Sequence, residues 1–248
     1  MKNRFYAFLI HLALSAVVGI TAGIIVFFAW YPAPLHDAIG VTQIFLMLLS
    51  VDIVIGPVIT LIIYRRGKPS LKFDLAVIAA FQIAALSYGM YAVFEGRPAF
   101  VVFNADRFEV TRALDIDENS AKKAQADGNL SALAGWSPRW VGALPSHDPK
   151  RRQEILFSSL QGGSDWPQLP ELFVPLAQVK VQMLQKARPL QELQKLKGKN
   201  GEVEALVSRS QDNNVKWLPL RGKLKDMVVL IDGTSADVIE VVNINPWP

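Results

Sequence analysis

The chain has 248 residues, 51% of them hydrophobic and 19% charged, with no cysteine, a formal net charge of +4 and a mean hydropathy of +0.24. Soluble domains carry roughly 25% charged residues; here the apolar residues gather in three long runs between residues 5 and 94, which excludes an ordinary water-soluble enzyme. Seven Lys or Arg face four acids up to Pro98 and 19 face 18 beyond it, so the excess of positive charge is no nucleic-acid footprint, and the lack of cysteine excludes a disulfide framework, a thiolate metal site and a cysteine nucleophile.

Phe5 to Tyr31 holds no charged residue, and at about 1.5 Å per residue it exceeds a ~30 Å hydrocarbon core. Lys2 and Arg4 precede it as in a signal peptide, but such a peptide has an apolar core of only about 7 to 15 residues, so an uncleaved anchor is expected. Val41 to Tyr64, broken only by Asp52, and Phe73 to Phe94, broken only by Asp74, are two further spans. The first connection, YPAPLHDAIG, has no Lys or Arg, whereas the second carries Arg65, Arg66, Lys68 and Lys72. The positive-inside rule therefore puts the N-terminus and the second connection in the cytoplasm and everything after Phe94 outside.

After the membrane, residues 97 to 248 read as an extracytoplasmic α+β domain with β-hairpins, separate from a membrane domain of residues 1 to 96. Ala99 to Val110, broken at Asn104-Ala105-Asp106, predicts one hairpin. Met227 to Ile231 and Val238 to Ile244, parted by Asp232-Gly233-Thr234-Ser235, predict another. Asp148-Pro149 is a helix start with Gly162 as its stop, and Val174 to Leu196 predicts a longer helix kinked or divided at Pro189. Gly128, Gly135, Ser137, Pro138 and Pro145 mark a loop-rich stretch. No cytoplasmic segment exceeds ten residues, which argues against a transmembrane sensor with its own output domain.

Asp52 is the sharpest single feature, because a carboxylate at mid-bilayer costs roughly 2.5 to 3.5 kcal/mol on insertion scales. It must be protonated, paired or turned toward protein. Gln82 lies at a similar depth in the third span, while His11 sits about 10 Å nearer the cytoplasmic face at 1.5 Å per residue. His11, Ser15, Gly19 and Gly23 recur every four residues on one face of the first span, and small residues of this kind let helix backbones approach closely. These six residues are the candidate site, either as polar glue and packing within the chain or as a contact with another protein's helix or a second copy in a homodimer.

Chemistry is sparse elsewhere. His147 stands alone beyond the membrane region apart from His36, and neither a nucleophile elbow nor a phosphate-binding loop occurs. Asp115-Ile116-Asp117 has the form of a metal-holding D-x-D but falls in an expected solvated loop. Lys180, Lys186, Arg188, Lys195, Lys197 and Lys199 form a basic stretch, read either as a solvated face or as a dock for an acidic partner. No cofactor or metal ligand set emerges.

The segments WYPAPL (Trp30 to Leu35), VTQIFLMLLSVDIVIGPVITLIIY (Val41 to Tyr64), LKFDLAVIAAFQ (Leu71 to Gln82) and GRPAFVVFNADRFEV (Gly96 to Val110), with the closing NPWP, resemble the TfpX/TfpZ-type type IV pilin accessory proteins. The resemblance implies a non-enzymatic protein of the bacterial inner membrane that acts on the major type IV pilin as a chaperone or modulator of pilus assembly. It carries no catalytic residue over. An unassembled pilin also rests in that membrane as an apolar helix with an outer head, so Asp52 and the small-residue face are expected to meet the helix and the outer domain the head. The competing classes are a membrane-bound pilin-modifying enzyme, in which Asp115 and Asp117 would act, and a periplasmic ligand-binding sensor or adaptor.

Overall fold

The computed structural model describes residues 2–198, 201–210 and 214–247. Among them, three helices are long and apolar enough to cross a membrane: α1 (Lys2–Trp30), α3 (Val41–Ile63) and α4 (Leu71–Glu95). In a bilayer every backbone polar group must be bonded within its segment, so apolar stretches of this length fold as helices. A short helix, α2 (Leu35–Ile39), ends on Gly40 in the left-handed conformation and joins α1 to α3. At the other end of the bundle Lys68 pairs with Asp74 at 2.6 Å, neutralising the acid in the first turn of α4.

The chain then folds as an α+β domain on one mixed sheet. Its elements are β1 (Pro98–Asn104), β2 (Arg107–Arg112), α5 (Glu118–Ala126), β3 (Arg139–Ala143), α6 (Pro149–Leu160), β4 (Phe173–Pro175), α7 (Lys180–Lys186), β5 (Arg188–Pro189), α8 (Leu190–Lys197), α9 (Gly201–Arg209), β6 (Val215–Arg221), β7 (Met227–Asp232) and β8 (Val238–Val242). Among the described residues the strand order is β4-β3-β1-β2-β6-β7-β8, with β5 on β6; β1 with β3 and β2 with β6 are parallel, the other pairs antiparallel.

Both expected hairpins form. Ala105 turns the first with a φ of 56°, and the Asp232 carboxylate closes the second by accepting from the Thr234 and Ser235 amides at 2.7 Å. Their apolar runs are continuous because the sheet is covered on both faces. Val101 and Phe103 join Leu218, Leu220, Met227, Val229 and Ile231 in one core, whereas Phe100 and Val102 point the other way, to Val141, Ile155 and Phe173. Trp217, Val228 and Leu230 pack with Leu193 and Leu206 in a third cluster.

Three expectations change. The helix expected over Val174 to Leu196 is divided at Pro189 as expected, where Arg188–Pro189 pairs with Trp217 and Lys216 between α7 and α8, but its first residues are not helical, since Phe173–Pro175 is a strand. Proline keeps the residue before it extended, and the Pro189 carbonyl accepts from the Trp217 indole at 3.1 Å. The stretch rich in glycine and proline contains a strand, β3, because Trp140-Val141-Gly142 pairs in parallel with β1. β6 had no counterpart in the sequence reading, since Pro219 lies inside it; that proline falls between the residues paired with β5 and those paired with β2.

The membrane helices and the sheet are fastened together. Leu35 and Ala38 of α2 are buried in the sheet core. The Ala38 carbonyl accepts from the Lys223 and Leu224 amides at 2.9 and 2.8 Å. On the opposite flank Arg97 is buried, donating to the Phe94 carbonyl at 2.8 Å and to that of Gly135 at 3.3 Å while covering the Phe94 ring. Trp136 lies 6.3 Å from Trp30 and 6.2 Å from Phe94. The α1–α3 connection and the α+β domain therefore share one side of the three spans.

Candidate functional site

The small and polar face of α1 lies against α3. His11 Nδ1 and Thr60 Oγ1 are 2.6 Å apart, and Thr60 is buried. A methyl group on Gly19 would stand 3.1 Å from Ile53 Cδ1 and 3.2 Å from Leu49 Cδ2, and one on Gly23 3.7 Å from the Phe45 ring. Ser15, between His11 and Gly19, is buried. The matching row on α3 is Asp52, Gly56 and Thr60, again four apart. Thr60 is not among the residues singled out from the sequence; its signal is this spacing, which answers the row on α1.

α3 is irregular where it carries Asp52. Pro57 has no N–H to donate, and the backbone widens over Val51–Ile55 so that the Gly56 N–H goes to the Val51 carbonyl. The Asp52 carbonyl thus loses both its four-residue and its five-residue partner. Gln82 Nε2 on α4 supplies the missing donor at 3.1 Å. It comes this close because Gly56 has no side chain: a Cβ there would stand 2.0 Å from Gln82 Nε2. Gly56→Ala is accordingly expected to lower the thermal midpoint of the detergent-solubilised protein by an overpacking cost of about 1–3 kcal/mol. Adding Gln82→Ala should recover part of that loss, because the two positions are in contact.

Asp52 as a residue is 7% exposed, and both of its carboxyl oxygens are buried without a hydrogen-bond partner. Gln82 therefore serves the backbone of Asp52. Asp52 lies on the floor of a cleft between α1 and α4. α1 and α4 meet at the end facing the α+β domain, where the Trp30 and Phe94 rings are 5.0 Å apart and Tyr31 Oη donates to the Val93 carbonyl at 2.7 Å. Toward the other end they part, around a cavity of about 490 Å³ lined by Tyr6, Ile10 and Leu14 of α1, Thr60 of α3, and Leu75 and Ala79 of α4. A second cavity of about 190 Å³ continues it past Ser15, Val18, Asp52, Gln82 and Ile83. His11, Leu14 and Ala79 line both.

In the α+β domain the two acids of the D-x-D are engaged with neighbouring residues. Asp115 lies in no solvated loop, because Arg112 at 2.8 Å and Lys223 at 3.2 Å draw it in. Burial alone would raise its pKa, but the hydrogen bonds from Arg112 and Lys223 hold it below the ordinary range. Asp117 caps α5 through the Ser120 amide at 2.8 Å and accepts from Ser164. No cluster of three or more metal-ligating side chains occurs among the described residues. Of the basic stretch, Lys180 pairs with Asp237, Lys197 donates to the Trp247 carbonyl and Arg188 lies over the Trp217 ring; Lys199 falls outside the described residues.

Residues 1–40 match the family model described as fimbrial assembly protein FimB. Over 109 residues the chain is 33% identical to the fimbrial assembly protein of serogroups C1 and C2 of Dichelobacter nodosus, an alignment that spans 43% of this chain and 83% of that one. The chain belongs to the fimbrial assembly protein (FimB) family. Two further relatives in the same organism, the fimbrial assembly proteins of serogroups E1 and I, are 27% and 29% identical over 238 residues, covering 90% of this chain and 88% of each of theirs. No solved structure matches significantly. Membership of a fimbrial assembly family implies a role in pilus biogenesis, and the three apolar helices point to membrane anchoring.

Proposed function

We propose that this FimB-family member is a pilin accessory protein of the TfpX/TfpZ type, a non-enzymatic chaperone or assembly modulator for the major type IV pilin. It resides in the bacterial inner membrane with its N-terminus in the cytoplasm and its α+β domain in the periplasm. The orientation is supported by Arg65, Arg66, Lys68 and Lys72 on the connection opposite the domain. The observation that carries the reading is the fastening of α2 into the sheet core by Leu35 and Ala38, which makes the membrane helices and the outer domain one scaffold. A pilin offers an apolar helix in the membrane and a head outside it. Two modest contacts held at a fixed separation reinforce each other, because the second forms at a high effective concentration.

The test is removal of the gene in a piliated strain, with surface pili counted, pilin level and intact mass measured, and the full-length protein used to co-purify pilin. Loss of pili, co-purification and an unchanged pilin mass are expected. A pilin mass that shifts on removal, and again with Asp115→Ala plus Asp117→Ala, would instead assign a modifying enzyme. Unchanged piliation without co-purification would overturn the reading.

A further inference from the structure

We infer that the cleft between α1 and α4 is the seat of one transmembrane helix of the partner, and that this helix brings a hydrogen-bond donor to the depth of Asp52. The inference rests on the pilin reading for which helix is tested, and on the membrane helices alone for the site.

The walls of the cleft are apolar: Leu14 and Val18 on one side, Ala79 and Ile83 on the other. Its occupant must therefore be at home in hydrocarbon, where only lipid chains and helices qualify. The floor separates these two. An acyl chain has no donor, whereas Asp52, which lines the cleft, holds a carboxyl with both oxygens buried and unpartnered. A polar group left unpaired among apolar walls is costly, so the complementary occupant is a helix with a donor side chain. The neighbouring polar groups do not fill the role. His11 is paired with Thr60, and Gln82 donates to the Asp52 backbone.

The shape agrees. α1 and α4 touch at the outer end through Trp30 and Phe94 and diverge inward around a cavity that runs to Asn3 and Tyr64, so a helix can lie between them without parting the bundle. Ala79, which lines both cavities, is small enough for a close backbone approach. The glycine face of α1 is not available for the same task, since Gly19 and Gly23 already lie on Leu49, Ile53 and Phe45.

The test is photocrosslinking in cells that make the full chain and its cognate pilin. Probes replace Leu14 and Ile83 in the cleft, Ile20 and Phe81 outside it, and Phe157 in the outer domain. Pilin adducts are expected from Leu14 and Ile83 and absent from Ile20 and Phe81. Asp52→Leu should lower the cleft adducts about tenfold, the loss expected for one intramembrane hydrogen bond at the upper end of the measured range. Leu14→Trp, which fills the cleft and leaves Asp52 in place, should abolish the Ile83 adduct at unchanged protein level. Equal adducts at all membrane positions, adducts with a second copy of this chain, adducts with lipid alone, or indifference to both substitutions would overturn the inference. Adducts from Phe157 with a silent cleft would overturn it while sparing the pilin reading; silence everywhere would remove both.

Discussion

Ala38→Arg is expected to abolish the compact α+β domain, although residue 38 precedes that domain by some sixty positions and sits between the first two membrane spans. Ala38 is 0% exposed and belongs to the same core as Phe103, Leu220 and Met227. Its carbonyl is the acceptor for three successive amides, Lys223, Leu224 and Lys225, at 2.9, 2.8 and 3.4 Å. An arginine there has no room beside Gly222, where a Cβ would already stand 2.7 Å from the Ala38 carbonyl. Its guanidinium has no anion within the cluster, and burying an unpaired charge while breaking a hydrogen-bonded turn belongs to the class of substitutions that cost more than about 4 kcal/mol.

The measurement is limited proteolysis of the detergent-solubilised protein, reading the protected fragment that begins near Arg97. Ala38→Arg should remove that protection. Asp37→Ala, which loses the exposed hydrogen bond from Asn243 and a 3.7 Å contact with His36, should stay within about 1 kcal/mol of the parent. Equal protection of both variants would show that α2 is not part of the domain core. Leu35→Ala falls between, at about 2–4 kcal/mol for a buried leucine cut to alanine.

The dependence of the outer domain on α2 illustrates what a linear reading misses. YPAPLHDAIG reads as a short loop between spans, because nothing in ten residues declares that Leu35 and Ala38 will be covered by strands more than sixty residues away. The spans themselves were legible because length and apolarity act locally: the observed ends lie within three residues of those expected. So were both terminal hairpins, whose turns are formed by their own residues, Asn104 to Asp106 and Asp232 to Ser235. β3 and β6 were not, since each is a strand only by virtue of its neighbours. Arg139–Ala143 is held in place by β1 and β4, and Val215–Arg221 carries a proline that a gap in the ladder tolerates.

The candidate site was half legible. Charge and depth singled out Asp52 and Gln82, and four-residue spacing singled out the row from His11 to Gly23. What Gln82 binds depended on the missing N–H of Pro57 and the widened turn before it, a tertiary consequence of local chemistry. The cleft required knowing that α1 and α4 touch at one end and part at the other, which no single span records.

Glu171 carries the second large effect, and its sign with pH follows from its surroundings. The side chain is 4% exposed, with Lys123 at 2.6 Å and Arg151 at 2.7 Å, and it ties α5 and α6 to the segment before β4. Its own backbone amide donates to Ser120 at 3.0 Å. Burial alone would raise its pKa, but the hydrogen bonds from Lys123 and Arg151 prevail and hold it below the ordinary carboxylate value. A carboxylate with a depressed folded-state pKa adds stability that is complete above its unfolded value of about 4.3 and disappears as pH falls through the folded value. Glu171→Gln should therefore cost about 3 kcal/mol at neutral pH, the range for losing charge-assisted hydrogen bonds at a buried group. That cost should shrink as the parent itself is acidified below about pH 4. Asp115, held low between Arg112 and Lys223, loses its contribution in the same window. Glu109 works in the opposite sense: burial raises its pKa, so the stability linked to its neutral form is present at acid pH and lost as pH rises through the folded value. Thermal midpoints of the parent, Glu171→Gln and Glu109→Gln between pH 3 and 8 should thus separate, with the Glu171 variant falling furthest below the parent at neutral pH and converging with it in acid. A constant gap across the range would mean that packing rather than charge makes Glu171 matter.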